Sequence, residues 1–446
     1  MADRPRVLVI AEAANPEWVS VPLVGWSLAK ALRDVADVHL VTQIRNREAI
    51  LRTGLREGED FTAIDFEAVA RPLSRLAGVL RRGTGKGWTM VTAINALSYP
   101  YFEHLVWRKF GAGIRAGSYD IVHRVTPLSP TTVSPIAVKC ARAGTPFVLG
   151  PLNGGVPWPP GFDAARRRER EWLSYLRDAY KVLPGRRKMY RNTAAVLAGS
   201  RHTASEVPGD CRDRTFWLPE NAIDSARFNR KAALWQEGRP LAACFVGRLV
   251  PYKGLDMLLE AAQPHLAGGR LTLDVIGSGP EEERLMAQTR RLEIAHAVTF
   301  HGMLAHHAVQ DVVAGTQLLA FPSIREFGGG VVLEAMALGV VPLVVDYAGP
   351  GELVDGTVGY KVPIGTRSQI VERLAHQLDD ILADPAEIRP KSAAARERIA
   401  GHFTWAAKAA KIRRVYDWVL GATEDRPDLS AQMVRADDQG ISHPAS

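Results

Sequence analysis

Short apolar runs alternate with helix-like stretches through most of this chain, and the alternation occurs in two sets. The runs predicted to be strands are RVLVIAE (6–12), DVHLVT (37–42), YDIVHR (119–124), TPFVLG (145–150) and AAVLAGS (194–200) in the first set, and LAACFVG (241–247), LTLDVIG (271–277), AVTFHG (297–302), QLLAFPS (317–323) and VPLVVD (341–346) in the second. Strands that alternate with helices form parallel sheets covered by helices on both faces. The pattern therefore predicts an α/β chain of two doubly wound domains in tandem.

The length of the chain agrees with two domains, since 446 residues exceed what one hydrophobic core usually holds. The polar stretch 224–240, which ends in Gly-Arg-Pro, is the natural linker. We therefore predict a first domain over residues 1–225 and a second over 226–403. The tail over 421–446 lacks apolar periodicity and is expected to be disordered.

The cysteines argue against a disulfide framework and against a zinc site. Cys140, Cys211 and Cys244 lie far apart, are odd in number and form no CxxC pair. The N-terminal apolar run is too short for a signal peptide, and no apolar run reaches the length that spans a bilayer. These features favour a cytoplasmic protein that does not span a membrane.

Positive charge is concentrated in the first half of the chain, where residues 1–239 contain 36 Lys and Arg against 23 Asp and Glu. It clusters at 75–88, 166–170 and 185–191. Such clusters are either solvated helical faces or a surface that meets anionic phospholipid or an anionic acceptor. No recognised nucleic-acid module accompanies them, so we expect no nucleic-acid partner.

Ligands of open parallel sheets bind beyond the carboxyl ends of the strands, in the loops that lead into helices. One such loop follows LAACFVG and carries Gly247, Arg248 and Lys253 before the next helix. Two cations at a helix entrance, with a glycine that permits close approach, suit a diphosphate. The alternative is a surface loop with incidental Arg and Lys.

A second loop of the same form is IREFGGGVVLEAMALG (324–339), in which three glycines precede a helix. Glycines there allow backbone N–H groups to approach phosphate oxygens. A carboxylate repels phosphate, so Glu326 and Glu334 are better suited to accept hydrogen bonds from the hydroxyls of a sugar and a ribose. Alternatively, Glu334 is an acid that complements the helix dipole and Glu326 is an exposed loop acid.

These segments resemble a known family. Glu326 and Glu334, with seven residues between them, resemble the E-x7-E signature of the retaining glycosyltransferases of family 4, the glycosyl transferases group 1. FVGRLVPYKG is similar to the family's G-R-L-x-x-x-K-G segment, FHGML to its F-x-G stretch, and LPENAIDSARF to its P-N-G-V-D-x-x-x-F passage. The stretch 402–420 resembles its closing helix, and the resemblance is dense over 195–420 but thinner before it. It implies the GT-B fold: two Rossmann-like domains facing across a cleft, with helix 404–420 crossing back to complete the first.

The resemblance also implies roles for individual residues. Those that would bind the donor are Gly247, Arg248, Lys253, Gly302, Gly328, Gly329, Gly330 and Glu334. Within this set, Arg248 and Lys253 would bind the diphosphate and assist catalysis, and Glu334 would bind the ribose. Glu326 would hold the sugar hydroxyls near the reactive carbon. His123, in YDIVHRVTP, matches a D-x-V-H motif whose histidine lies beside the donor sugar, although a histidine in a strand is more often a satisfied structural residue.

The reaction implied is retaining transfer from a UDP-, GDP- or ADP-linked sugar, by front-face attack without an enzymic nucleophile. Glu326 would then orient the sugar and stabilise charge. Arg248, Lys253 and helix N-termini, rather than a metal, would neutralise the departing diphosphate, and no cofactor is expected. In agreement, the chain contains no Asp-x-Asp, the usual metal-binding triplet of the other main glycosyltransferase fold.

The acceptor side departs from the family pattern. Where the family often has a Gly-Gly pair in the first strand-to-helix loop, this chain offers only Gly25. Asn153, Gly154 and Gly155, in GPLNGGVPWPPGF, could line the acceptor cleft or form a rigid turn without a ligand. The basic, aromatic region 72–117 lies where the family recognises acceptors, so we hypothesise a glycan or lipid-linked acceptor. That would place the protein at the inner face of a membrane, in the synthesis of an envelope polysaccharide or glycolipid.

Three other functions compete with this one. Gly277 and Gly279 follow a strand as in a dinucleotide-binding oxidoreductase, but Glu282 replaces the third glycine of that fingerprint. A GT-B protein without transfer activity, serving as a scaffold or sugar-nucleotide sensor, is disfavoured by the intact residues Glu326, Glu334, Arg248 and Lys253. A GT-B epimerase or phosphorylase is disfavoured by the terminal helix.

Overall fold

The computed structural model describes residues 4–67, 87–163 and 185–429, and all of the strand pairs in this part of the chain are parallel. The strands are β1 (Arg6–Ala11), β2 (Asp37–Gln43), β3 (Phe61–Ile64), β4 (Ile121–Thr126), β5 (Phe147–Leu152), β6 (Ala195–Ala198), β7 (Thr215–Trp217), β8 (Leu241–Val246), β9 (Leu271–Ile276), β10 (Val298–Gly302), β11 (Leu318–Phe321), β12 (Val341–Asp346) and β13 (Tyr360–Pro363). They form two sheets, the first of seven strands and the second of six.

Helices separate most of these strands. They are α1 (Val21–Leu32), α2 (Arg47–Leu51), α3 (Gly87–Arg115), α4 (Ile136–Arg142), α5 (Arg186–Arg191), α6 (Arg201–Ser205), α7 (Leu255–Ala267), α8 (Glu282–Arg291), α9 (His306–Ala314), α10 (Gly330–Leu338), α11 (Ala348–Leu353), α12 (Arg367–Ala383), α13 (Ile388–Arg398) and α14 (Trp405–Val419). The helical stretches thus lie between apolar strands, as the alternating pattern predicted.

The strand order in both sheets is that of a doubly wound fold. The first sheet runs β3-β2-β1-β4-β5-β6-β7 and the second β10-β9-β8-β11-β12-β13. In each sheet the chain begins at a central strand, fills one side of the sheet, and then crosses back to fill the other side. The reversal lies between β1 and β4 in the first sheet and between β8 and β11 in the second. The carboxyl ends of strands on either side of such a reversal are where a cleft forms and ligands bind. The two-domain α/β expectation is therefore confirmed.

Two segments connect the domains, and they lie side by side. One is the crossover from β7 to β8, in which the Ile223 N–H donates to the Phe403 carbonyl over 2.7 Å. The other is the start of α14, where the Thr404 side chain caps the helix by accepting from the Ala407 N–H. Lys408 of α14 is fully buried and donates to the Asn221 carbonyl over 2.8 Å. These bonds hold the two connecting segments against each other.

The terminal helix α14 packs back onto the first sheet. Ala409, Ile412, Val415 and Tyr416 of this helix lie in the same hydrophobic cluster as strand residues of the first sheet. The Trp418 ring meets the Phe216 ring of β7 edge-on, with centroids 5.5 Å apart. This is the position that the resemblance implied for the helix.

Three strands were missed from the sequence: β3, β7 and β13. All three lie at the edge of a sheet and are at most four residues long. Edge strands are commonly short and less apolar, because one side of the strand faces no neighbour. Periodicity over so few residues is a weak signal.

The expectation of a disordered tail over 421–446 was wrong for its first part. Leu429 is buried against the first sheet, and Arg426 donates to the Asp213 and Thr215 carbonyls. The Arg426 guanidinium also lies 4.4 Å from the centroid of the Phe216 ring. Residues 421–429 therefore cover the β7 edge, whereas 430–446 lie outside the described residues.

No helix in the described part of the chain has the length and apolar character needed to cross a bilayer.

Candidate functional site

Two predicted site residues from different loops meet at the carboxyl edge of the second sheet. Lys253 ends a short 3₁₀ turn, Pro251–Lys253, after β8, and Glu326 lies in the loop between β11 and α10. The Lys253 Nζ donates to the Glu326 carboxylate, and the two side chains are 14% and 23% exposed. The same Nζ lies 4.8 Å from the centroid of the Phe321 ring. The geometry thus combines a partly exposed ammonium group and a partly exposed carboxylate in one ion pair.

The turn that carries Lys253 is attached to the loop that carries Glu326. The Tyr252 carbonyl accepts from the Ile324 N–H over 2.9 Å and from the Ser323 hydroxyl over 3.3 Å. Gly254 has a φ of +76°, and a Cβ there would lie 2.4 Å from the Pro322 carbonyl oxygen. Only glycine fits so close an approach in this conformation. These local contacts bring Lys253 and Glu326 together although 73 positions separate them.

Arg248 follows β8 at the same edge of the sheet. Its side chain is exposed, and it forms no ion pair with any residue in the described ranges. Gly247 and Gly302 lie beside it at the ends of β8 and β10, and the Gly277 N–H donates to the Gly302 carbonyl over 2.8 Å. A Cβ on Gly277 would lie 2.0 Å from the Gly247 carbonyl oxygen. Gly277 therefore serves close packing between two loops, which removes the main argument for a dinucleotide fingerprint.

The three consecutive glycines lie between the second domain and the crossover. Gly329 has a φ of +55° and Gly330 begins α10. A Cβ on Gly328 would lie 2.4 Å from the Asn221 Nδ2 and 2.7 Å from the Glu220 Oε1. Gly328 therefore allows the crossover from β7 to β8 to pack closely against this loop. That role is separate from any approach of a phosphate to the loop.

Glu334 lies in the second turn of α10, and the first turn contains no acidic residue. It is half-buried at the wall of a small apolar cleft. The other residues that line this cleft include Phe228, Val246, Val309 and the polar Gln310. The cleft encloses only about 10 Å³, the space of about one water molecule, so it does not by itself define a ligand site.

Glu220, in the crossover, was not among the predicted site residues. It is 6% exposed, its Oε1 accepts from the Asn153 Nδ2 over 2.8 Å, and its Oε2 has no hydrogen-bond partner within the described residues. Burial raises the pKa of Glu220 to about 8, although the Asn153 bond and the Lys408 charge lower it. Glu326, on the neighbouring loop, raises it further. The sequence feature that could have indicated Glu220 is its position in LPENAID, directly before the asparagine of the family passage.

His123, predicted beside the donor sugar, is fully buried in β4. Its Nε2 lies 2.7 Å from the Gly150 carbonyl oxygen and its Nδ1 lies 2.6 Å from the Tyr416 hydroxyl. Burial lowers the pKa of His123 to about 4, so the ring is neutral at physiological pH. Both ring nitrogens are thus bonded to partners inside the protein. These contacts favour the structural alternative, in which His123 attaches α14 to the first sheet.

The proposed acceptor residues make internal contacts. A Cβ on Gly25 of α1 would lie 2.1 Å from the Ala13 carbonyl oxygen, so glycine permits close packing of this helix. The backbone N–H groups of Asn153, Gly154 and Gly155 donate to the Leu128 carbonyl, the Thr203 hydroxyl and the Asn153 side chain, respectively. The three N–H groups are therefore engaged within the protein, which favours the rigid-turn alternative.

Of the basic clusters, 166–170 lies outside the described residues, as does 75–86 of the cluster at 75–88. The cluster at 185–191 forms α5, where Arg186 is 7% exposed and donates to the Glu206 carbonyl over 2.8 Å. Arg191 forms an ion pair with Asp210 over 3.1 Å. Part of this positive charge is therefore used in internal bonds.

Comparison with known proteins agrees with this geometry. Residues 226–398 match the family model described as glycosyl transferases group 1. The 2-deoxystreptamine glucosyltransferase of Streptomyces kanamyceticus is 30% identical over 239 residues, which are 51% of this chain and 59% of that protein. A GDP-mannose-dependent phosphatidylinositol monomannoside mannosyltransferase of Mycolicibacterium smegmatis is 33% identical over 185 residues, 39% of this chain and 47% of that one. The chain thus spans about half of the length of the curated relatives it matches.

The fold extends beyond the matched stretch. The solved structure of Anabaena Alr3699/HepE in complex with UDP and glucose superposes with a TM-score of 0.54 over 92% of this chain and 98% of that one, at 17% identity. At this identity the likeness shows the fold alone. It confirms two Rossmann-like domains in the GT-B arrangement, as the resemblance implied.

Proposed function

We propose that this chain, whose residues 226–398 match the glycosyl transferases group 1 model and which has the GT-B fold, is a retaining glycosyltransferase. It moves a sugar from a nucleotide-sugar donor to a glycan or lipid-linked acceptor. The observation that carries the proposal is the Lys253–Glu326 ion pair, held beside the exposed Arg248 at the carboxyl edge of the second sheet.

The donor's diphosphate suits the cationic side of this site. Arg248 has no competing carboxylate among the residues described, and Lys253 is held by a single ion pair with Glu326. A diphosphate that approaches Lys253 exchanges one anionic partner for another, so the ammonium group stays neutralised throughout. The N-terminus of α10 adds backbone N–H donors and a favourable dipole. These groups stabilise the charge that develops on the diphosphate as it departs, and no metal is required in this scheme.

The carboxylates suit the hydroxyls of the donor. Once a diphosphate takes up Lys253, Glu326 can accept hydrogen bonds from the transferred sugar and orient its reactive carbon. Glu334, in the second turn of α10, would bind the ribose hydroxyls, and the support for this role is the resemblance of its segment to the E-x7-E signature. Front-face attack retains the configuration at that carbon and needs no enzymic nucleophile.

A lipid-linked acceptor is the favoured class within this proposal. Its support is the mannosyltransferase relative, whose name includes phosphatidylinositol monomannoside, together with the excess of positive charge in the first half of the chain. The protein would then work in the cytoplasm at the inner face of a membrane, building an envelope polysaccharide or glycolipid. Flotation with vesicles that contain anionic phospholipid tests this part, and no binding at low salt counts against it.

The central test is calorimetric titration of the protein with UDP, GDP and ADP, without metal, on the wild type, Glu334→Ala and the exposed control Glu283→Ala. We expect one nucleotide to bind, the Glu334 variant to bind it about tenfold more weakly, and the control to match the wild type. Binding of no nucleotide, even after magnesium is added, would contradict the transferase proposal and favour a scaffold. Proton NMR of the product anomer then decides between retention and inversion.

A further inference from the structure

One segment of the first domain is packed into the second domain. Residues 156–162, which we call the strap, follow β5 and the Asn153 turn. The Phe162 ring is 7% exposed and belongs to the hydrophobic core of the second domain, against which Trp158 also packs. The strap therefore crosses the cleft and is anchored on its far side by an aromatic residue.

The strap contacts the two residues that neighbour the ion pair in sequence. Arg325, next to Glu326, donates from its Nε to the Val156 carbonyl over 3.2 Å, and its guanidinium lies 5.2 Å from the centroid of the Trp158 ring. Tyr252, next to Lys253, meets the same Trp158 ring edge-on with centroids 6.0 Å apart. One indole thus contacts both loops of the candidate donor site.

A third contact comes from the loop after β12. The Tyr347 hydroxyl donates to the Pro157 carbonyl over 3.0 Å. Nearby, the Gly349 N–H donates to the Glu326 carbonyl over 3.2 Å. The loop that holds the strap is therefore also bonded to the backbone of Glu326.

We infer that Trp158 is a positioning residue. It reaches across the cleft from the first domain and holds two neighbouring segments of the second domain in register, the Tyr252–Lys253 turn and the Arg325–Glu326 loop. An edge-to-face aromatic pair and a cation–π contact act on the same indole, and each adds to the area that the ring buries. The second domain's own contacts bring Lys253 and Glu326 together, and the strap, which belongs to the first domain, adds a restraint on both loops while the two domains are docked. The functional consequence rests on the proposed function: the donor site is completed by the acceptor-side domain.

The first test needs no ligand. Hydrogen exchange is measured over residues 250–254 and 323–328 in Trp158→Ala, in Trp158→Phe and in the control Trp18→Ala, which removes an indole that is 48% exposed. We expect exchange in both segments to rise about tenfold in Trp158→Ala, to stay near the wild-type rate in Trp158→Phe, and not to change in the control. Equal exchange in Trp158→Ala and Trp18→Ala overturns the inference.

The second test uses the nucleoside diphosphate that the wild type binds. Trp158→Ala should bind it about tenfold more weakly, and Trp158→Phe should recover most of that loss, because a benzene ring keeps both contacts. If Trp158→Ala does not fold, Tyr347→Phe removes the hydroxyl bond to Pro157, and exchange over 156–162 should then rise. If no nucleotide binds the wild type, the transferase proposal fails while the exchange experiment still decides the role of Trp158.

Discussion

Glu326 and Glu220 lie on the two sides of Gly328, yet they occupy opposite environments. Glu326 belongs to a loop of the second domain, is partly exposed, and is paired with Lys253. Glu220 belongs to the crossover, is buried, and has one oxygen without a partner in the described structure. The same residue type is thus partly exposed and ion-paired in one place, and buried with a raised pKa in the other.

The difference shows that a carboxylate's role depends on what the two domains enclose between them. Glu326 faces the cleft, where an ionised group can exchange partners with a ligand. Glu220 is enclosed by Asn153 from the first domain and Gly328 from the second. A buried carboxylate without full hydrogen bonding is costly, so the neutral acid is favoured there. Four changes test this contrast, and we order them by expected effect.

Replacement of Glu326 by Gln should have the largest effect, on turnover rather than on folding. Under the proposed function, we expect the transfer rate to fall about 100-fold, because the amide lacks the charge that orients and stabilises the reacting sugar. Initial rates with the donor identified by calorimetry measure this. Glu283→Gln, on the exposed face of α8, is the matched control. A Glu326→Gln enzyme within threefold of the control would remove Glu326 from the site.

Replacement of Gly328 by Ala should mainly affect folding. The added Cβ would lie 2.4 Å from the Asn221 Nδ2 and 2.7 Å from the Glu220 Oε1, so the crossover must shift. We expect a loss of about 1–3 kcal/mol in the free energy of unfolding, measured by urea denaturation.

Gly330→Ala is the control for that change, since its Cβ would meet the nearest atom, the Asn221 Nδ2, at 3.4 Å. It should stay within about 0.5 kcal/mol of the wild type. If Gly328→Ala and Gly330→Ala lose the same free energy of unfolding, then close packing of the crossover does not depend on the absence of a Cβ at Gly328.

Replacement of Glu220 by Gln should change how stability depends on pH. The folded protein keeps the Glu220 proton up to its raised pKa of about 8, whereas the unfolded chain releases it near the usual 4.5. The wild type therefore loses stability as pH rises through this range, by at most about 1.4 kcal/mol per pH unit from this group. The amide does not titrate, so Glu220→Gln should gain on the wild type from pH 6 to pH 8 and level off above that.

Urea denaturation at pH 6, 7, 8 and 9 measures this difference, with Glu283→Gln as the surface control. Other groups near Glu220 are Lys408, fully buried on α14, and Glu326. Burial lowers the pKa of Lys408. Parallel stability profiles for Glu220→Gln and the wild type would refute the raised pKa.

Replacement of Asn153 by Ala should have the smallest effect. It removes the 2.8 Å bond to Glu220 and the Asx bond to the Gly155 N–H, which we expect to cost about 1 kcal/mol. A double-mutant cycle with Glu220→Gln should give a coupling of about 0.5–1.5 kcal/mol. A coupling of zero would mean that the two side chains do not act together across the cleft.

Much of the fold followed from the sequence alone, and so did the choice of candidate donor-site residues in the second domain. Ten strands were predicted near their observed positions because buried strands between helices give strong apolar runs. Lys253, Arg248 and Glu326 were predicted because each lies in a short, distinctive segment next to a strand end. Such signals depend only on the local sequence, so they can be recognised without knowing how the rest of the chain folds.

Only the tertiary structure decided how the two halves meet. The bond from Asn153 to Glu220 joins residues 67 positions apart, and Trp158 reaches Tyr252 and Arg325 from the other domain. No spacing in the sequence records such contacts, because they depend on how two separately patterned domains dock. The same holds for His123: its motif suggested a ligand, but its two buried partners lie on α14 and β5. Burial and hydrogen bonding are properties of the assembled molecule, and here they raise the pKa of Glu220 and engage both ring nitrogens of His123.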